Sequence, residues 1–242
     1  MLYEKSLKFV KKMYEISEIT LDDIVSELLR KSAISITTNI AQSQATKYVL
    51  QEFNYLNVAL ENISRCRSLL EMAMIRFIDY KLFQKADFDA MELVNMSFGL
   101  IKKLKPYVEN VAITKWYVED FRQSHLYNCS IDLMQPIHFF IDSIELDVSY
   151  NRAVKANWLA INTPLAIASG IGQLNIKVRI KKFNEAKKQL EELRVFTKSF
   201  QGISDKNKAD LDQVEHCRIQ VLKLLNCYFG RLKSLNNIEQ IK

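Results

Sequence analysis

Glycine and proline are very scarce in this chain, with 5 and 3 residues among 242. Tight turns, sheet corners and nucleotide-binding loops rely on these residues, because glycine adopts left-handed backbone conformations at little cost and proline fixes φ. The scarcity therefore argues against a β-sandwich, a β-barrel or a glycine-rich nucleotide-binding fold. Hydrophobic residues make up 48% of the chain, which is enough for a sizeable core. Long helices with short connections are expected.

Apolar residues recur at helical spacing along the first half of the chain. In the first segment, Leu7, Val10 and Tyr14 form the expected apolar stripe. Thr20 is the expected N-cap of the second segment, since an acid follows three residues later, and Pro106 ends or interrupts the fourth. The predicted helices span residues 3–16, 20–45, 48–77 and 88–104.

The same pattern returns 127 residues later. At this shift Ile40 coincides with Ile167 and Ala41 with Ala168, and the last helices, SFGLIKKL and YFGRLKSL, match at a shift of 131. Such self-similarity indicates a duplicated unit, and four amphipathic helices can bury one another's apolar stripes. We therefore predict an all-α fold of two tandem antiparallel four-helix bundles, a pseudo-dimer. The predicted parts are copy 1 over residues 1–107, a helical connector over 108–129 and copy 2 over 130–242.

One stretch carries a resemblance to a known family. The segment LRKSAISITTNIAQS, residues 29–43, is similar to the signature L-R-R-A-A-x-S-I-P-x-N-I-A-E-G of the four-helix-bundle proteins encoded in ribosomal-RNA intervening sequences. The same family includes the accessory variability protein of diversity-generating retroelements. The matching residues of the first copy are Leu29, Arg30, Lys31, Ala33, Ser35, Ile36, Asn39, Ile40 and Ala41, followed by Phe53, Leu56 and Ala59. Those of the second copy are Pro164, Ile167, Ala168 and Gly170.

The resemblance implies helical bundles that assemble into ring-like oligomers. It also implies, from the retroelement members, binding of a reverse transcriptase and its template RNA through basic surfaces, and it implies no catalytic residue. The polar signature positions differ between the copies, since Asn39 becomes Ala166 while Arg30 and Lys31 become an Asn-Trp pair. A fused pair with specialised halves would show this divergence.

The excess positive charge lies in the second half of the chain. The formal net charge is +6; residues 1–121 contain 16 basic and 16 acidic residues, and residues 122–242 contain 18 and 12. Within IKVRIKKFNEAKKQ, Lys177, Lys181 and Lys188 fall within about 40° on a helical wheel, opposite the apolar side. Such a strip can follow a phosphate backbone, although a merely solvated helix face is the alternative. The candidate nucleic-acid-binding residues are Lys177, Arg179, Lys181, Lys182, Lys187 and Lys188, with Arg30 and Lys31 as a second site.

Five residues are candidates for contacts within or between the bundles. Arg67 and Arg194 lie at equivalent positions on the apolar sides of their helices. Because an unpaired buried charge costs several kcal/mol, each either extends to the bundle rim or meets a carboxylate across a helix or copy interface. The exchange of Arg65 for Glu192 between the copies suggests a cross-copy ion pair. Asn39 is interpreted as a polar specificity contact within or between bundles.

Enzymatic patterns are not found in the sequence. His125, His138 and His216 form neither HxxxH nor HExxH spacing. The Arg-x4–6-His motif of HEPN-type nucleases is not met, since Arg122 and His125 are only three residues apart. The GIG at 170–172 follows no predicted strand and indicates a helix end or turn rather than a phosphate loop. No catalytic residue, metal or cofactor is expected.

The remaining composition bears on compartment and core. Four cysteines lie far apart without a CxxC pair, the N-terminal segment has no signal-peptide core, and no run of about 18 apolar residues exists. A reduced cytoplasmic protein with buried thiols and no membrane span is expected. Most aromatic residues, among them Phe53, Phe139 and Phe183, stand at core spacing, which leaves Tyr48 and Trp158 as candidates for base stacking.

The leading hypothesis is a non-enzymatic adaptor that binds nucleic acid, RNA in particular, together with a reverse transcriptase or another partner protein. The alternative is a structural oligomerisation or protein-interaction module whose charge serves solubility. Either function is compatible with an oligomer or with an intramolecular pseudo-dimer.

Overall fold

The computed structural model describes residues 1–76, 78–108, 119–143, 146–200 and 208–239. Its regular structure there is helical, so the predicted all-α class is confirmed. The helices are α1 (Leu2–Ile19), α2 (Asp23–Ala45), α3 (Val49–Arg76), α4 (Tyr80–Leu104), α5 (His125–Asp132), α6 (Met134–Ser143), α7 (Leu146–Gly172), α8 (Ile176–Phe200) and α9 (Lys208–Glu239). No helix in the described ranges combines the length and apolar character that a bilayer crossing requires.

Two helix starts differ from the sequence prediction. The N-cap of α2 is Asp22, whose carboxylate accepts a hydrogen bond from the Val25 N–H at 2.9 Å. Thr20, the predicted cap, instead donates to the Ile16 carbonyl at the end of α1. In α4, Asp79 is the cap. This helix therefore begins at residue 80 rather than 88, because an early carboxylate satisfies an amide that would otherwise lack a partner.

The chain divides into two compact units that differ from the predicted halves. Unit 1 comprises Met1–Glu119 and Ala168–Arg179, and unit 2 comprises Asp120–Ile167 and Ile180–Lys242. Residues 109–118 of the predicted connector lie outside the described residues. The described remainder of that connector already belongs to unit 2 from Asp120 onward.

In unit 1, the first four helices form a closed four-helix bundle. α1 packs on α2, α2 on α3, α3 on α4, and α4 returns to α1. The connections between them are short, so sequential neighbours run antiparallel. Fully buried side chains from the four helices form the core, including Phe9, Met13, Leu29, Ile36, Ile40, Phe53, Leu56, Ile63, Leu70 and Ala90.

The apolar stripe predicted for α1 is wrong. The bundle buries Phe9, Met13 and Ile16, whereas Leu7 is 46% exposed and Tyr14 is also exposed. The two sets lie about 120° apart on the helix, so α1 carries two apolar stripes and the bundle uses only one. Burial of the small Ser6 and Ser17 on the same side as Phe9 allows α1 to approach its neighbours closely, which selects that face.

In unit 2, the expected first helix is split into α5 and α6. The split lies at Leu133, just before Pro136, which has no N–H to donate to the carbonyl one turn earlier. Both short helices pack against α9. The Phe140 and Phe196 rings pack edge to face at 6.1 Å between centroids. Phe183 is buried as predicted, but Phe139 is 58% exposed and its predicted place in the core is wrong.

Helix ends repeat at the shift read from the sequence. α2 ends at residue 45 and α7 at 172, while α3 begins at 49 and α8 at 176, each separated by 127 residues. This coincidence is compatible with the predicted tandem duplication. The assembly of the second set of helices into a matching four-helix bundle stays a prediction.

The last turn of α7 packs tightly on α3 within unit 1. A Cβ at Gly172 would lie 2.3 Å from the Ser64 Oγ, so the backbone approach requires glycine there. Next to it, the Gln173 amide donates to the Glu61 carboxylate at 2.8 Å, and both side chains are buried. Residues 168–179 therefore belong to unit 1 through specific contacts with α3.

We predict that Gly172→Ala destabilises the protein by about 1–3 kcal/mol, because the added methyl group overpacks the contact with Ser64. Urea unfolding followed by circular dichroism measures this change. Gly99→Ala is the matched control, since a Cβ there meets no atom within 4 Å. The control should gain roughly 0.5–1 kcal/mol from helix propensity. Equal effects of the two substitutions would contradict the close approach.

Candidate nucleic-acid interface

α8 has one buried face and one lysine-rich face. Phe183, Ala186 and Leu190 are fully buried. On the exposed side, the ammonium groups of Lys177 and Lys181 have no ion pair among the described residues, and both side chains are exposed. Lys177 belongs to unit 1 and Lys181 to unit 2, and each is exposed on α8.

The strip begins at the N-terminus of α8. Asn175 caps this helix, its side-chain oxygen accepting a hydrogen bond from the Lys177 N–H at 2.9 Å, and the first turn contains no acidic residue. A lysine in the first turn opposes the helix dipole, which disfavours cations there by about 0.3–1 kcal/mol. Helix stability therefore does not account for Lys177.

The later lysines of the strip have polar neighbours. Lys182 lies 3.3 Å from the Glu185 carboxylate, and Lys187 donates to the Asn226 side chain at 3.4 Å. Lys188 reaches Glu192 at 4.0 Å. Lys182 and Lys188 thus have nearby carboxylates, and Lys181 is the strip lysine of unit 2 that has no polar contact among the described residues.

Arg179 does not belong to the exposed strip, and this part of the prediction is wrong. The residue is 5% exposed. Its guanidinium donates to the carbonyls of Gln173, at 2.5 Å, and Ile171, at 3.3 Å. It thereby ties the start of α8 to the end of α7, since the Ile171 carbonyl belongs to the last turn of α7 and the Gln173 carbonyl to the turn that follows.

Both residues of the second predicted basic site have local polar partners. Arg30 is half-buried and donates to the Ser17 hydroxyl on α1 at 3.2 Å. Lys31 pairs with Glu27 on its own helix, and this hydrogen bond lowers the pKa of the Glu27 carboxyl.

Sequence reasoning missed Lys155. Its ammonium lies 4.6 Å from the centroid of the Trp158 ring and 2.7 Å from the Glu192 carboxylate. Glu192 also faces Lys188, so an aromatic ring, two cations and one carboxylate lie together in unit 2. A lysine three residues before a tryptophan on a helix was the available signal, because such positions lie on one face.

The predicted interface residues have local partners. Asn39 donates to the Ser35 carbonyl at 2.7 Å and to the Ser35 hydroxyl, so its hydrogen bonds stay on α2. Glu192 faces Lys155 and Lys188 as described above. Arg65 is half-buried on α3, and its pairing with Glu192 stays a prediction.

The sequence left two alternatives for Arg67 and Arg194, extension to the bundle rim or pairing with a carboxylate across an interface. The structure assigns a different one to each residue. The Arg67 side chain is 4% exposed, and its Nε lies 2.7 Å from the Asp87 carboxylate on α4, so it meets a carboxylate across helices. The Arg194 side chain is 48% exposed and lies near Glu191 on its own helix, at 3.6 Å. Equivalent positions therefore carry different roles in the two units.

Within the described ranges, no three His, Cys, Asp or Glu side chains are arranged to hold a metal ion. Cys66 is buried, and burial raises the pKa of its thiol, whereas Cys227 is exposed, so the expectation of buried thiols is wrong there.

Comparison with protein-family models, with curated proteins and with solved structures gives no match for this chain.

We predict that Arg67→Ala destabilises unit 1 by about 3–5 kcal/mol, because it leaves the Asp87 carboxylate without its buried partner. The equivalent Arg194→Ala should change stability by less than about 1 kcal/mol, since its ion pair is exposed to solvent. Denaturant unfolding of both variants under identical conditions measures the difference. Similar losses for the two variants would contradict the assigned roles.

Proposed function

We propose that the protein is a non-enzymatic adaptor that binds nucleic acid, RNA in particular, through the lysine face of α8. The observation that supports this proposal is the open face of Lys177 and Lys181, which have no ion pair among the described residues and which helix stability does not explain. With Lys188 the strip extends over 11 residues of helix, or ~16 Å. A line of cations of that length can contact several successive phosphates.

The chemistry of such a strip favours phosphate rather than base recognition. Lysine ammonium groups act as point charges on flexible stems, and they neutralise phosphates without reading sequence. Binding should therefore depend strongly on salt and weakly on sequence. Lys155 beside Trp158 adds a further cation at the same end of unit 2 as Lys188.

The resemblance of residues 29–43 supplies a candidate protein partner for the adaptor, a reverse transcriptase. The family signature lies on α2 of unit 1, where Ile36 and Ile40 are fully buried. Its apolar positions therefore support the bundle, and partner binding would use exposed residues elsewhere. Co-purification with a reverse transcriptase encoded beside this chain would test the partnership.

We predict that Lys177→Glu, Lys181→Glu and Lys188→Glu together abolish most RNA binding. Losing three phosphate contacts should also flatten the slope of log K against log salt by about 2 to 3. Fluorescence anisotropy with a labelled structured RNA, repeated over a range of salt concentrations, measures both effects.

The control for this experiment reverses three exposed lysines outside the strip, Lys8, Lys11 and Lys47. This variant changes the net charge by the same amount, so it separates a local binding site from a general electrostatic attraction of RNA to a positive protein. Equal losses of RNA affinity in the two triple variants would show that net charge alone causes the loss. Unchanged RNA binding by the strip variant would refute the proposal.

The second candidate function, protein association, is favoured by the unused apolar stripe of α1. Tyr3, Leu7 and Tyr14 remain exposed at spacings of four and seven residues. Such spacing forms a continuous seam along one side of a helix, as in helix–helix interfaces. Another copy of the chain could bury this seam and form an oligomer.

Under this second proposal, Leu7→Glu combined with Tyr14→Glu should convert an oligomer to a monomer, because charge would enter the apolar seam. Sedimentation velocity at several micromolar concentrations measures the change. Leu21→Glu is the control, since Leu21 is exposed outside α1. A wild-type protein that is monomeric at every concentration would exclude self-association through α1.

A further inference from the structure

The outer face of α4 carries unusually exposed aromatic rings. Phe88 is 71% exposed and Tyr80 is 62% exposed, and they lie about 12 Å apart along the helix. Exposed phenylalanines of this degree contribute little to a core, and contiguous apolar surface on a soluble domain often marks a binding site. The sequence prediction did not foresee this face, because it began the fourth helix only at residue 88.

Two lysines lie on the same face. On a helical wheel Lys81 falls about 20° and Lys85 about 60° from Phe88. Both side chains are exposed, and neither has an ion pair among the described residues. Gln84 is also exposed there, so aromatic, cationic and amide groups alternate over the first two turns of α4.

The acidic residues of α4 do not neutralise these lysines. Each of the carboxylates is engaged elsewhere within unit 1, either with the backbone at the helix start or with a cation on a neighbouring helix. Those partners are Leu82 N–H for Asp79, Arg67 for Asp87, Lys12 for Asp89 and Lys5 for Glu92. The carboxylates of α4 thus have partners other than Lys81 and Lys85, and Glu92, which lies on the same side of the helix as Phe88, is paired with Lys5.

The matching helix of unit 2 lacks this arrangement. At the shift of 131 residues, Lys81 corresponds to Asp212, Lys85 to His216 and Phe88 to Ile219. The face is therefore a property of the first copy and does not follow from the shared bundle architecture.

We propose that the face formed by Lys81, Gln84, Lys85 and Phe88 binds single-stranded nucleic acid by stacking a base on the Phe88 ring. The Tyr80 ring lies at the edge of this face and stacks on Phe83, at 6.2 Å between ring centroids. Lysine beside an exposed ring provides phosphate contact and base stacking together, the combination that single-strand binding requires. A purely apolar protein partner would leave Lys81 and Lys85 buried without counter-charges, which is costly. The inference rests on the proposed nucleic-acid function but uses a different helix from the α8 strip.

Two RNAs test the proposal on the full-length chain. One is a short unstructured oligouridylate, and the other is a hairpin of equal length closed by a structured tetraloop, whose stem bases are paired and not free to stack on a protein. Phe88→Ala should weaken binding of the single strand by about 5- to 150-fold, the range found for loss of one stacked base. Hairpin binding should stay unchanged. Phe88→Tyr should restore single-strand binding.

A second readout reports stacking directly. A 2-aminopurine base placed within the single strand should change its fluorescence on binding the wild-type protein, and Phe88→Ala should remove that change. Phe139→Ala is the matched control, since Phe139 is an exposed phenylalanine on α6 whose nearest exposed neighbours on that helix include Gln135 and Asp142 but no lysine. The control should leave both readouts unchanged.

The outcomes separate this inference from the function on which it rests. Loss of single-strand binding in Phe88→Ala alone supports it. If Phe88→Ala binds both RNAs like the wild type while reversal of the α8 lysines abolishes binding, the α4 inference is overturned and the proposed function stands. If the wild-type protein binds neither RNA, both proposals fail and the α4 face is left as a protein-binding surface.

Discussion

The burial of the middle of α3 is the constraint on which unit 1 depends. Residues 59–64 and 66–70 of this helix are buried without interruption, although they include a glutamate, an asparagine and an arginine. Each buried polar group needs a partner, because an unpaired one would be strongly destabilising. Glu61 is matched by Gln173 and Arg67 by Asp87. The polar groups of α3 therefore fix which elements surround it.

The fold class followed from the sequence because it depends on quantities that a sequence contains directly. Scarce glycine and proline exclude most turn-rich folds, and helical spacing sets the helix count over the first half. The predicted buried stripe of α1 is wrong for a physical reason. The helix has two apolar stripes, and the choice between them depends on buried serines whose role emerges only from packing. The predicted N-cap of α2 is wrong for a similar reason, since both Thr20 and Asp22 are good capping residues.

The sequence contains further information on which residues belong to the candidate site. A helical wheel places Arg179 about 180° from the lysine strip, among the buried positions of α8. The carbonyls that accept its hydrogen bonds, however, belong to the end of α7 and the turn after it. A helical wheel of α8 does not include those residues. The Lys155 and Trp158 contact was readable from spacing alone. The α4 face was not, because its character depends on where the carboxylates of α4 find partners in other helices.

The contribution of residues 168–179 to unit 1 has a consequence for biosynthesis. A ribosome that has released only the first 119 residues has not yet supplied Gln173 or Gly172, so α3 still presents to water the side that they later cover. The first bundle can reach its final packing only after much of the second copy has been translated. Completion of unit 1 therefore waits for a segment that follows part of unit 2 in the chain.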